Sequence, residues 1–213
     1  MNKTARAPDA VRLREAMTAG PENGEPAPTP LAELADMARI SMFAALVGAG
    51  AFIHIPLGPA HISLQTMMVM LTGFVLGPKK ALLAMLVYLA CGFIGLPMFG
   101  RGKAGPASFL GPTAGFLPGF VVGAATAGLS AYFTRSGRQH LLAMIGFGLA
   151  GTVLLLLLGT AGLRVVLTGD WSKAFALGFA PYIAGDVVKM LAAAAVRQKF
   201  FPPGNGGRGA DHG

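Results

Sequence analysis

Six apolar stretches dominate this chain, running roughly from Ala38 to Ile55, Ser63 to Leu76, Ala81 to Leu96, Gly115 to Phe133, Leu141 to Leu167 and Ala174 to Val196. Inside a bilayer no water is available to a backbone N–H or C=O. A spanning segment of about 20 residues must therefore close its hydrogen bonds internally, as a helix. The expected fold is an all-α integral membrane protein with six transmembrane helices in one bundle. Composition excludes the soluble alternative: 54% of the 213 residues are hydrophobic and only 12% are charged, too few to coat a water-facing surface. Leu-Gly-Pro marks three borders, at Leu57-Gly58-Pro59, Leu76-Gly77-Pro78 and Leu110-Gly111-Pro112, where the backbone chemistry of Gly and Pro ends or begins helices. The second stretch is short and carries Gln65 and Thr66, which suits a loop or broken helix lining a cavity.

The formal net charge is +8, yet the basic residues sit at the ends of apolar stretches and do not form one patch interleaved with aromatics. Positive-inside topology accounts for them better than nucleic acid does. With six alternating spans, Arg39, Lys79, Lys80, Arg135, Arg138, Arg197 and Lys199 share one side. Arg101, Lys103 and Lys173 occupy the other. Both termini are thus expected in the cytoplasm, with the loops Pro56 to Ile62, Pro97 to Thr113 and Thr168 to Lys173 facing outward. The second of these is long, glycine-rich and basic, and long loops in compact domains tend to carry function. Three regions follow: a disordered cytoplasmic extension over 1–36, a six-helix membrane domain over 37–199 and a flexible cytoplasmic tail over 200–213. The extension is rich in Pro, Ala, Gly and Glu and has no apolar core of a signal peptide.

Asp186 and Lys189 interrupt the last apolar stretch three residues apart. A charge near the bilayer centre costs about 2.5–3.5 kcal/mol even on the lenient insertion scale, so neither belongs on a lipid-facing surface. On a helix the two share a face and can point into one interior cavity. A purely structural ion pair is the competing reading; intramembrane ionisable groups favour a functional one.

Other chemistries find no support. Gly102-Lys103 is followed by Ala104, with Pro97 where a phosphate loop needs its leading glycine, so ATP hydrolysis by this chain is not expected. His54, His61, His140 and His212 lack metal spacing, and Cys91 stands alone. No Gly-x-Ser-x-Gly elbow occurs, and no enzyme activity or cofactor is expected.

The second outward loop and the helix after it read Gly95-Leu96-Pro97-Met98-Phe99, then Gly102-Lys103-Ala104-Gly105, then Ser108-Phe109-Leu110-Gly111-Pro112-Thr113-Ala114-Gly115-Phe116. The last stretch contains Pro181-x-x-x-Gly185-Asp186-x-x-Lys189. Together, from about Ala38 to Lys199, these motifs resemble the BioY family, the biotin-binding S components of energy-coupling-factor (ECF) vitamin importers. The family pattern has Gly-Pro-Thr-Gly-Gly-Tyr where this chain has Ala114 and Phe116, so the tyrosine hydroxyl is missing here. The resemblance implies a membrane subunit of the cytoplasmic (inner) membrane that captures biotin from outside. Its partners would be a membrane scaffold, the T component, and two ATPase subunits that consume ATP.

A site for biotin needs an acceptor and a donor for the ureido ring, an apolar wall and a cation for the tail carboxylate. Asp186 can accept a ureido N–H, and Lys189 can donate to an oxygen or hold Asp186 ionised. Arg101 and Lys103 compete for the carboxylate, with the distance from Gly111 in sequence favouring Lys103. Ser108, Thr113, Gln65 and Tyr88 offer neutral hydrogen bonds, each equally well explained as a helix-end or packing residue; Phe116 offers apolar wall. Small residues Ala45 and Ala49 on the first helix match the family's face for the scaffold, although small-x-x-x-small faces also serve internal packing. A self-sufficient transporter using Asp186 as a protonation site is the alternative from another class.

Overall fold

The computed structural model describes residues 29–57, 60–133, 137–166 and 169–201. Most of the expected N-terminal extension, the tail beyond Phe201, Arg135 and Thr168 lie outside the described residues. The chain divides after Ala38 into two units, and the packing below is that of the second, Arg39–Gly213.

Helix α1 spans Pro30–Gly50 and so begins well ahead of the expected Ala38, taking in residues assigned to the extension. Proline opens it at a position where a missing N–H costs nothing. Phe43, Ala44, Val47 and Gly48 form its buried side, while Ala45 and Ala49 are exposed. Two strands follow, β1 (His54–Leu57) and β2 (Ala60–Ser63), paired antiparallel with His54 opposite Ser63. This hairpin departs from the expected all-α fold and, with an isolated bridge between Phe99 and Lys103, is the strand pairing among the described residues. It satisfies backbone groups that a plain loop would leave to solvent.

Helix α2, Gln65–Phe93, joins the second and third apolar stretches across a break at Gly77 (φ 72, ψ 174). That left-handed backbone is open to glycine and strained for other residues. Pro78 has no N–H, so the Phe74 carbonyl four residues earlier loses its helical partner. Arg197 supplies the missing donor, its Nε lying 2.9 Å from that oxygen.

Beyond two 3₁₀ turns, Gly100–Gly102 and Pro106–Phe109, come α3 (Phe116–Gly128), a 3₁₀ extension (Leu129–Tyr132) and α4 (Gly137–Val166). The sixth apolar stretch, expected as one helix from Ala174 to Val196, is two: α5 (Trp171–Gly178) and α6 (Ala180–Phe200), separated at Phe179. Pro181 is tolerated in the first turn of α6 but could not have continued α5.

Helix α3 packs on α2 along one side and on α4 along the other, and α6 packs on both α2 and α4. Glycines make the close crossings. A Cβ added at Gly119 would lie 2.8 Å from the Leu155 carbonyl oxygen, and one at Gly123 3.2 Å from that of Gly151. Gly115 meets Gly162, and Gly73 of α2 faces the Ala124 carbonyl. Packing thus accounts for Gly151 and Gly162 of the glycine-rich fifth stretch, whereas a Cβ at Gly146 would meet open space.

Three helical segments are long and apolar enough to cross a membrane, Gln65–Phe93, Arg138–Val166 and Trp171–Phe200, and Phe116–Tyr132 is a shorter apolar helix. Large side chains such as Leu82, Leu86, Leu142, Leu157, Val188 and Leu191 point outward from them. Around a bundle that spans a bilayer, such a surface meets lipid and carries no solvation penalty. This is a multi-pass, helical membrane protein.

Candidate ligand-binding site

Tyr182, Asp186 and Lys189 recur along α6 at i, i+4 and i+7, one face of the helix. The Asp186 and Lys189 side chains are 3% and 12% exposed, with Nζ 2.8 Å from Oδ1. Removing two charges from water costs several kcal/mol per ion, a loss their attraction offsets only with further hydrogen bonds. Thr66, in the first turn of α2, provides them: its Oγ1 donates to Asp186 Oδ1 at 2.8 Å and accepts from Lys189 Nζ at 3.2 Å. The break at Gly77 leaves the first segment of α2 free to set its own direction, and its N-terminal turn reaches α6.

One residue before Thr66, Gln65 points elsewhere. Its Nε2 donates to the Tyr88 hydroxyl at 2.6 Å, and Tyr88 is wholly buried. Phe99 stands edge-on to the Tyr88 ring at 5.6 Å, and Phe120 lies tilted at 6.3 Å. These groups enclose a cavity of ≈ 90 Å³, lined also by Ser63, Ser108, Thr113, Phe116 and Leu117. Ser108 spends its hydroxyl hydrogen on the Ala104 carbonyl, 3.2 Å away.

A second cavity of ≈ 280 Å³ adjoins the first through shared walls at Gly100, Thr113, Phe116 and Tyr182. Arg101, Lys103, Leu163 and Leu177 complete much of it. Lys103, Ser108, Gly111 and Thr113 line a third, also ≈ 280 Å³. Among the lining residues of all three, Asp186 is the sole acid. The outer part is therefore electropositive and the inner end holds a neutralised ion pair.

The loop presenting the two cations is tightly made. Phe99 N–H donates to the Lys103 carbonyl at 3.0 Å, which leaves three residues to turn the chain. Arg101 takes φ 63, ψ 29, the one left-handed non-glycine among the described residues. Such a conformation costs about 1 kcal/mol or more and persists where surrounding structure enforces it, commonly at binding sites. Here Gly100 and Gly102 flank it.

Every ligand residue expected from sequence lines one of these adjoining cavities: Asp186, Lys189, Gln65, Tyr88, Ser108, Thr113 and Phe116 the inner, Arg101 and Lys103 the outer, Gly111 the third. The sequence reading passed over Thr66 as a ligand-site residue and missed Tyr182, Phe120 and Phe99. Two of those were signalled by helical period: Tyr182 lies four residues before Asp186, and Phe120 four after Phe116. Tyr182 also packs on Phe116, ring centroids 6.2 Å apart, which returns a phenol to the neighbourhood where the expected tyrosine is absent.

The BioY family model matches residues 23–203, most of the chain. The chain belongs to the BioY family. The match starts ahead of the Ala38 at which the motif resemblance was placed. Among relatives, the biotin transporter BioY of Thermotoga maritima is 37% identical over 158 residues, covering 74% of this chain and 90% of its own. The Rhizobium etli biotin transporter BioY is 38% identical over 167 residues, covering 75% and 89%. A crystal structure of the S component for biotin from an ECF-type ABC transporter superposes with a TM-score of 0.72 at 25% identity, covering 83% of this chain and 95% of that one. The helical arrangement described above is thus a BioY fold.

Proposed function

We propose that this protein is the biotin-binding S component of an ECF importer, taking biotin from the outside for delivery to the cytoplasm across the inner membrane. The observation that carries the reading is the polarity of the joined cavities. At one end a buried carboxylate and ammonium lie side by side; at the other, Arg101 and Lys103 stand without any lining acid. Between them the walls are aromatic, from Phe116, Phe120 and Tyr182. Biotin has the same order of parts: a ureido ring with N–H donors and a carbonyl acceptor, an apolar bicycle and chain, and a terminal carboxylate. Asp186 accepts from the ureido N–H, Lys189 donates to the ureido oxygen, and one of the two loop cations pairs with the carboxylate.

Similarity to biotin transporters and to an S component for biotin supports the ligand and the importer type. In this reading the six apolar stretches span the membrane, the second and third as the two parts of α2 and the sixth as α5 with α6, and both termini lie in the cytoplasm. A T component and two ATPases supply the energy, because the chain carries no phosphate-binding loop of its own. Ala45 and Ala49, exposed on α1 while Ala44 and Gly48 turn inward, are the face for the scaffold.

Mass spectrometry of the purified chain, followed by titration with biotin in detergent, tests the ligand. Stoichiometric biotin without any proton gradient is the expected result. No binding at all would leave a structural membrane subunit. Uptake undiminished in cells lacking the ATPases would favour a self-sufficient transporter.

A further inference from the structure

The three-way cluster of Thr66, Lys189 and Asp186 distributes its hydrogen bonds unevenly. Asp186 Oδ1 takes both the Thr66 hydroxyl and the Lys189 ammonium. Oδ2 takes no hydrogen bond among the described residues, and it is not one of the enclosed unpaired polar atoms. It therefore keeps some accessible surface, on a residue that lines the inner cavity. Lys189 has three N–H donors, and two are spent, on Asp186 Oδ1 and Thr66 Oγ1. The hydroxyl of Thr66 gives its one hydrogen to Oδ1 and accepts one from Nζ, so it has no proton left to donate. What the cluster leaves uncommitted is one anionic acceptor and one cationic donor on neighbouring side chains.

We infer that Thr66 is a positioning residue for the ligand: it holds Oδ1 and two lysine protons away from the cavity, so that Oδ2 and the remaining N–H face it in a fixed relation. Without the hydroxyl, Lys189 can swing to chelate both carboxylate oxygens, and the pair turns its polarity on itself. With it, the pair is complementary to a head group that carries an N–H beside a C=O, the arrangement of a cyclic urea. The inference rests on the biotin reading above and adds to it a residue that acts through Asp186 without needing to touch the ligand.

Biotin titrations of four variants test it. Thr66→Val keeps the shape and removes the hydroxyl, and is expected to weaken binding about three- to ten-fold, less than the loss of a direct charge-assisted bond to the ligand because it acts through Asp186. Thr66→Ser, which restores the hydroxyl, should bind within about two-fold of the parent on the same scale. In an Asp186→Asn background the valine change should cost little further, because its effect passes through the carboxylate. Thr66→Ala replaces the valine variant in the same cycle if that one does not fold. Parent-like affinity of the hydroxyl-free variants, or losses that multiply in the double variant, would overturn the role of Thr66 while leaving the biotin site intact. A parent chain that binds no biotin would instead remove the ligand reading itself.

Discussion

At the scale of single residues, the Asp186–Lys189 pair is where charge, burial and geometry converge. Asparagine at 186 keeps the volume and hydrogen-bonding shape but not the charge. Losing a charge-assisted bond to the ligand costs about 1.5–3 kcal/mol, or roughly ten-fold and more in affinity. Isothermal titration with biotin should read that loss in Asp186→Asn. Lys189→Met should also weaken binding, in part because it strands a carboxylate that is 3% exposed. Parent-like binding by both folded variants would make the pair structural. At the mouth, Arg101→Gln and Lys103→Gln distinguish the two cations: the side chain that meets the tail carboxylate should show a larger loss for biotin than for biotin methyl ester. Equal losses for acid and ester at both positions would mean that neither cation reads the carboxylate.

Among the elements, α3 is the most constrained, because it carries Phe116, Leu117 and Phe120 into the site on one face and crosses α4 on glycines along another. The atom opposing Gly119 is a backbone oxygen, 2.8 Å from where a Cβ would sit, and backbone cannot swing aside as a side chain can. Gly119→Ala should therefore push α3 off α4, costing about 1–3 kcal/mol as over-packing does. It should both lower the thermal midpoint in detergent and weaken biotin binding. Gly146→Ala is the matched control: nothing lies within 4 Å of its added methyl, so stability should hold or rise by up to about 1 kcal/mol from helix propensity. Similar melting for the two variants would mean that the α3–α4 contact is not as close as described. The break in α2 has a comparable dependence, since Arg197→Met leaves the Phe74 carbonyl without the donor that replaces Pro78, at about 1–3 kcal/mol for a buried unpaired group.

For the whole molecule, topology and assembly are the measurable quantities. In a Cys91→Ser background, Lys103→Cys and Lys173→Cys should react with an impermeant thiol reagent added outside, and Lys80→Cys and Arg138→Cys should not. Labelling at position 80 from outside would overturn the arrangement of spans. Enlarging the exposed face of α1 with Ala45→Leu and Ala49→Leu should abolish co-purification with the scaffold and ATP-dependent uptake while sparing biotin binding, because association in lipid depends on close van der Waals fit. Lost ligand binding with assembly intact would show that these positions pack within the subunit.

Much of the membrane character was legible in the chain, since apolar runs near bilayer length leave few alternatives to helices, and an Asp and a Lys amid one of them demand a shared interior face. The resemblance to the BioY family, carried by the Gly-Pro-Thr segment and Asp186-x-x-Lys189, likewise implied that the loop cations share one neighbourhood with Asp186. Local pattern failed where backbone geometry depends on distant partners. Gly77-Pro78 could equally have ended a helix for a loop; Arg197, far along the chain, is what lets α2 resume on the other side. The His54–Ser63 hairpin and the separation of α5 from α6 at Phe179 have the same character, because apolar periodicity is blind to where backbone hydrogen bonds close. Thr66 is the clearest case. As a residue in a short apolar stretch it reads as one more small polar group, and only the crossing of α2 with α6 puts its hydroxyl between a carboxylate and an ammonium more than a hundred positions away.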